Sequence, residues 1–294
     1  MKQTLFTGVC TALVTPFRNG KINFDLLEVL LNRQIAAGIT AVCLCGTTGE
    51  APTLSDLEKL AMIRFAKEVV ADQCMILAGT GSNDTAHCIE LSKAAVQAGA
   101  DALLVVSPYY NKANAEGLIT HYRDICTSVQ VPVVIYNVPS RTGVDIPVAV
   151  YQELAKLPNV AGVKEATSDM RKVAHIHHTC PADFALWCGN DDLILPCIAL
   201  GGKGVISVVS NLDPFLTNAM TQAALKGDDN TALKLQHQLW PLLQALSSDI
   251  NPIPIKEALK IIGYDCGGCR LPLTKLSDEK NKTLKESIFA LQQD

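Results

Sequence analysis

Residues 97–108 read QAGADALLVVSP. The plan is a helix end, a glycine, a short loop and then an apolar, β-branched run. It returns as AAGITAVCLCG at 36–46 and as ALGGKGVISVVS at 199–210. Glycine suits the left-handed residue that ends a helix. An apolar run without polar alternation suits a strand buried on both faces, as in a parallel sheet. Working outward from the three copies gives eight candidate strands, at 7–11, 41–45, 75–79, 102–107, 132–137, 160–164, 184–188 and 204–208. Helical patterns lie between them. Residues 25–37 are apolar at Leu26, Leu27, Leu30, Leu31 and Ile35, and 55–70 opens with the capping box Ser55-Asp56-Leu57-Glu58. Further helices are expected at 85–98, 116–129, 147–157, 169–179 and 191–200.

Eight βα units within residues 1–227 match an α/β fold of the (β/α)8 TIM-barrel type. A doubly wound sheet uses the same units. The count of eight favours the barrel, as does the lack of a phosphate-binding glycine fingerprint. Gly79-Thr80-Gly81 is half of one, with Asp84 where the third glycine belongs. Beyond residue 228 the strand pattern stops, and helices are expected at 231–247, 254–262 and 277–292. The expected division is a catalytic barrel at 1–227 and a C-terminal helical domain at 228–294.

Composition narrows the function classes. The chain has 294 residues, 48% hydrophobic and 18% charged, enough for a large buried core. The net charge is −4, from 29 acidic and 25 basic residues, with no dense basic stretch that would point to nucleic acid. No apolar run approaches the roughly 18 residues of a spanning helix, so no membrane partner is expected. The start, MKQTLFTGVCTALVTPF, is interrupted by Thr4, Thr7, Gly8, Thr11 and Thr15, and Pro16 to Gly20 resembles a turn. It is therefore read as the first strand rather than a signal peptide, and a cytoplasmic location is expected. The 11 cysteines, scattered and often in apolar context (Cys43, Cys45, Cys88, Cys197), fit small, reduced core residues.

In a barrel, reactive groups come from the C-terminal ends of the strands and the loops after them. Those positions hold Gly46-Thr47-Thr48-Gly49-Glu50, Ser107-Pro108-Tyr109-Tyr110-Asn111, Tyr136-Asn137-Val138-Pro139-Ser140-Arg141-Thr142-Gly143, Lys164-Glu165, Gly189-Asn190-Asp191-Asp192 and Gly204-Val205-Ile206-Ser207. Lys164 follows the apolar Val160-Ala161-Gly162-Val163. Burial disfavours a charged amine, and a neutral amine attacks ketones to form a Schiff base. The plain alternative is a structural lysine paired with a carboxylate such as Glu165, or snorkelling to solvent. Tyr136 ends the preceding strand, close enough to move protons for that amine, though a core tyrosine is the simpler reading. The GTTGE turn offers amides and hydroxyls to a small carboxylate, or is an ordinary loop. Arg141 suits a second carboxylate, or a surface salt bridge.

Together, GTTGE, SPYYN, YNVPSRTG, GVKEA and GVISV, in that order and spacing, resemble the pyruvate-dependent class I aldolase family of dihydrodipicolinate synthase and N-acetylneuraminate lyase. The likeness runs from Gly8 to about Asn211, with a weaker match at Asn251-Pro252-Ile253-Pro254-Ile255-Lys256, and YNVPSRTG is similar to the dihydrodipicolinate synthase branch. The resemblance implies that Lys164 forms a Schiff base with pyruvate. It implies a proton relay of Tyr136, Thr48 and Tyr110, the last reaching across a dimer interface. Thr47 and Thr48 would hold the pyruvate carboxylate and Arg141 that of L-aspartate 4-semialdehyde, with the Ile206 carbonyl and Gly189 lining the pocket. The implied reaction is a condensation and ring closure in lysine and diaminopimelate biosynthesis. It needs no metal or organic cofactor, and the implied assembly is a homotetramer, a dimer of dimers.

The departures lie where lysine-regulated relatives bind free lysine. Asn83 and Tyr109 match that pattern, but His87 replaces a glutamate, and Ala51, Asp56 and Lys59 also differ. Weak or absent lysine inhibition is expected. Cys266-Gly267-Gly268-Cys269 has redox or zinc spacing but no second pair nearby, and is read as a structural loop. His175, His177 and His178 are read as an exposed helix face, and the leucines of 239–246 as core or interface. Two other functions stay open: a sibling aldolase or lyase acting on a 2-keto-3-deoxy sugar acid or N-acetylneuraminate, and a non-catalytic ligand-binding barrel. Arg141 in its YNVPSRTG setting argues against the first, and the complete set of Lys164, Tyr136, Thr48 and Tyr110 argues against the second.

Overall fold

The computed structural model describes residues 2–291. Eight parallel strands close into a barrel: β1 (Gly8–Ala12), β2 (Ala41–Leu44), β3 (Met75–Gly79), β4 (Ala102–Val106), β5 (Val133–Asn137), β6 (Val160–Glu165), β7 (Ala185–Cys188) and β8 (Gly204–Ser207). Each pairs with its sequence neighbours, and β1 closes the ring by pairing with both β2 and β8. The outer helices are α1 (Phe24–Ala36), α2 (Asp56–Val70), α3 (Thr85–Gln97), α4 (Ala115–Ser128), α5 (Val148–Leu154), α6 (Met170–Thr179), α7 (Ile194–Ala199) and α8 (Pro214–Leu225).

The two-sided burial read from the sequence has a physical form here, because each strand divides its residues between two cores. In β4, Ala102 and Leu104 face the barrel interior, with Cys43, Val134, Tyr136 and Trp187. Leu103 and Val105 face the helices. The interior is closed at the bottom by Phe6, stacked on Trp187 with ring centres 4.8 Å apart, while the indole donates to the Phe6 carbonyl at 3.2 Å. Several helix starts, among them α1, α2, α3 and α4, are capped by a side chain. Ser55 and Glu58 form the expected reciprocal box on α2, and Asp84, which breaks the glycine fingerprint, caps α3.

Some boundaries differ from expectation. The helix expected over 147–157 is only α5, because Leu157 precedes Pro158 and the α conformation is disfavoured there. The stretch 191–200 divides into a 3₁₀ turn, Asp191–Leu193, and α7. The turn expected at 16–20 is the tip of a small hairpin, Phe17–Arg18 with Lys21–Ile22. Helix α8 had not been anticipated. After it come α9 (Asp229–Leu246), α10 (Ile253–Ile261) and α11 (Asp278–Leu291). Gln292, the expected end of the last helix, lies outside the described residues.

Candidate active site

A cavity of about 310 Å³ opens at the C-terminal end of the barrel. Ala12, Cys43 and Leu104 form its floor, Thr47, Thr48, Tyr136, Lys164, Gly189 and Arg141 line its walls, and Leu243, Leu246, Asn251 and Ile255 of the helical extension cover its mouth. Tyr136 and Lys164 are register partners on β5 and β6, so both side chains leave the sheet on the interior side at the same height. The Lys164 ammonium lies 4.4 Å from the centre of the Tyr136 ring. The two residues are 5% and 6% exposed.

Glu165 does not neutralise Lys164. Successive strand residues point to opposite faces, and Glu165 points outward, accepting from Asn137 Nδ2 at 2.8 Å and the Tyr151 hydroxyl at 3.0 Å, with Lys172 Nζ at 3.5 Å. Burial pushes the Glu165 carboxyl up, against the pull of Lys172 and the two donors. Among the described residues, Lys164 has no carboxylate within salt-bridge distance, and its exposure is confined to the cavity it lines. Asp191 is near enough for the two charges to act on each other. Its Oδ2, however, is held by the amides of Val208 and Val209 at 2.9 and 2.8 Å, and burial raises its carboxyl against these and the Lys164 charge.

The Thr47–Thr48 turn sits at the end of β2, bracketed by two non-glycine residues in the left-handed region, Cys45 (φ 55°) and Glu50 (φ 58°). Such residues cost roughly 1–2 kcal/mol each and persist where the surroundings force them. The Cys45 carbonyl folds back over β3, where a Cβ on Gly79 would stand 2.2 Å from it, so position 79 admits no side chain. Asn251 Nδ2 donates to Thr48 Oγ1 at 3.0 Å, which leaves the threonine proton free to be given elsewhere. Arg141 projects from a single helical turn, Pro139–Thr142, ended by Gly143 at φ 69°. It is exposed, and its Nη2 donates to the Asn251 carbonyl at 3.1 Å instead of to a surface carboxylate.

Two expected site residues stand apart from this cavity. Tyr110 is 91% exposed, with φ 71°, and projects outward from the chain. Ile206 is buried in the barrel interior beside Cys10 and is not part of the cavity wall. Conversely, the sequence marks Asn251 and Asp191 only within longer stretches, Gly189 to Asp192 and Asn251 to Lys256, and gives them no role. Asn251 reaches both Thr48 and Arg141 from more than 100 residues away, and only the weaker match at 251–256 hinted at it. Its Oδ1 is buried without a partner.

The other motifs stay outside the site. His175, His177 and His178 are exposed on α6, and no group of three or more potential ligands that could hold a metal occurs among the described residues. In the CGGC loop, the Cys266 carbonyl accepts from the Phe17 amide at 2.8 Å and the Gly268 carbonyl from Lys256 at 3.1 Å. Burial pushes the Cys266 and Cys269 thiols up to about 12 and 11. No helix of the described residues is long and apolar enough to cross a membrane.

The model of the dihydrodipicolinate synthetase family matches residues 5–291. The 4-hydroxy-tetrahydrodipicolinate synthase of Acetivibrio thermocellus is 43% identical over 288 residues, covering 98% of both chains. The crystal structure of dihydrodipicolinate synthase from Aquifex aeolicus is 38% identical with a TM-score of 0.96, covering 98% of each chain. That of the Cyanidioschyzon merolae enzyme with lysine bound is 35% identical with a TM-score of 0.96, covering 99% of each. The chain belongs to the dihydrodipicolinate synthetase family.

Proposed function

We propose that this protein condenses pyruvate with L-aspartate 4-semialdehyde to give 4-hydroxy-tetrahydrodipicolinate. The observation that carries the reading is Lys164, buried at a strand end without a carboxylate partner, with Tyr136 over its amine and the Thr47–Thr48 turn in the same cavity. The chain is a Schiff-base-forming lyase of the class I aldolase type. In this reading the chain divides at residue 227 into a catalytic barrel and a helical unit, whose described residues 228–291 roof the pocket.

In this reading Lys164 Nζ attacks the pyruvate ketone carbon, and the carbinolamine loses water to give an iminium. Its positive nitrogen is the electron sink, so no metal or organic cofactor takes part. A proton leaves the methyl group, and the enamine carbon attacks the aldehyde. The semialdehyde amine then displaces Lys164 from the imine carbon, closing the ring and freeing the enzyme. Tyr136 passes protons in the addition, the dehydration and the methyl deprotonation. Thr48 relays them outward, since its oxygen already accepts from Asn251. Tyr110, exposed in one chain, completes the relay of a neighbouring copy in a dimer, and two dimers form the tetramer. Thr47 and Thr48 hold the pyruvate carboxylate, Gly189 bounds the pocket, and Arg141 clamps the semialdehyde carboxylate with its planar fork.

Lysine inhibition is weak or absent in this reading. Asp56 is already engaged by His87 Nε2 at 2.7 Å and by Lys59 Nζ at 3.1 Å, so an incoming ammonium would meet a carboxylate already satisfied within the chain. Incubation with pyruvate and aspartate semialdehyde, in parallel with pyruvate and N-acetylmannosamine, tests the function. Consumption of both substrates in the first mixture alone is expected. Turnover only of the sugar aldehyde would favour the sibling lyase, and turnover of neither would favour a non-catalytic barrel.

A further inference from the structure

A second buried lysine lies beside the site but outside it. Lys256, in the first turn of α10, is 3% exposed, and its Nζ bonds Glu50 Oε1 at 2.7 Å and the Gly268 carbonyl at 3.1 Å, 4.4 Å from the centre of the Phe17 ring. Glu50 is 2% exposed, and its other oxygen accepts the Arg270 amide at 2.8 Å. Neither residue lines the cavity.

We propose that the Glu50–Lys256 pair is a positioning device for pyruvate binding, fixing the Thr47–Thr48 turn against the helical extension. Two independent observations carry this. First, Glu50 is the residue at which the threonine turn ends, and it sits in the left-handed region with both carboxylate oxygens clamped. A non-glycine residue holds such a conformation when its surroundings over-determine it. Second, Lys256 lies five residues after Asn251 on the same short segment, and Asn251 makes the 3.0 Å bond to Thr48. The extension therefore grips the turn at two points, by an amide at the cavity and by an ion pair behind it. Release of the rear grip frees Glu50 to leave its strained conformation, and the Thr48 hydroxyl moves relative to Lys164. Displacements of about 1 Å weaken catalysis strongly.

The inference rests on the pyruvate reading above. Its test is the double variant Glu50→Gln/Lys256→Met, which removes both charges together and so leaves no buried ion unpaired. Melting temperature, the two KM values and borohydride trapping of pyruvate are measured beside the parent. The expected result is a folded protein that still traps pyruvate on Lys164 at saturation. Its KM for pyruvate is raised about tenfold or more, and its KM for the semialdehyde less than about threefold. A folded variant with pyruvate KM within about twofold of the parent would overturn the proposal. Lys256→Gln, which keeps a donor for Glu50, is read if the double variant does not fold. Failure of both to fold would make the pair a requirement of folding only, and would also overturn it. A parent that traps no pyruvate would instead sink the Schiff-base reading.

Discussion

Lys164 and Lys256 are the same side chain, almost equally buried at 5% and 3% exposure, about one site, yet they are built for opposite ends. Lys256 has a carboxylate at 2.7 Å, a carbonyl at 3.1 Å and an aromatic face, so its ammonium is fully engaged. Lys164 has an aromatic face, a cavity in front of it and no carboxylate at salt-bridge distance. Burial alone does not make a lysine reactive. What separates the two is whether the surroundings engage the amine in structure or leave an approach path to it open.

The comparison breaks most sharply on substitution. Lys164→Ala is expected to lower kcat by at least about a thousandfold, because no other group supplies the covalent step. Its unfolding free energy should change little, since the Lys164 amine makes no ion pair that the substitution would break. Lys256→Met reverses the pattern: urea unfolding should show a loss of about 3–5 kcal/mol from the stranded Glu50 carboxylate. Equal stability losses in the two variants would dissolve the distinction.

A third buried base sharpens it. His121 is 4% exposed, with Nδ1 on Thr85 Oγ1 at 2.9 Å and Nε2 without a partner. Burial lowers its pKa from 6.5 to about 4. Above pH 6.5 both folded and unfolded chains hold it neutral. Between 6.5 and 4 the unfolded chain binds the extra proton, so stability falls as pH falls, by about 3 kcal/mol in all. Urea unfolding at pH 7 and pH 4.5 reads this loss, and His121→Gln should reduce it. An unaltered slope would show that burial does not hold this base neutral.

Smaller effects belong to the mouth. Arg141→Lys keeps the charge but loses the fork, and should raise the semialdehyde KM about tenfold with pyruvate KM little changed. Lysine at millimolar levels should leave the rate nearly unaltered, since His87 and Lys59 already occupy Asp56. Strong inhibition would place a working effector site there.

The barrel was legible because its signals are local. A buried parallel strand is a short apolar run, and all eight expected runs match observed strands to within a residue at each end. The residues on strand ends, Thr47, Thr48, Tyr136 and Lys164, follow from that register and meet in one cavity. What escaped reading is non-local. Asn251 and Lys256 reach the GTTGE turn from 203 and 206 residues away, and no periodicity encodes such a reach. The place of Tyr110 was equally invisible to spacing: it stands 91% exposed, away from the cavity that the other strand-end residues share. The carboxylate suspected beside Lys164 was a neighbour in sequence only, since a strand turns consecutive side chains to opposite faces.

The most direct test is reduction of the enzyme with borohydride in the presence of pyruvate, followed by peptide mapping of both buried lysines. A reduced pyruvyl adduct on Lys164 and none on Lys256 is expected. An adduct on Lys256, or on neither while pyruvate is consumed, would contradict the claim that an unengaged, buried amine at the end of β6 carries the reaction.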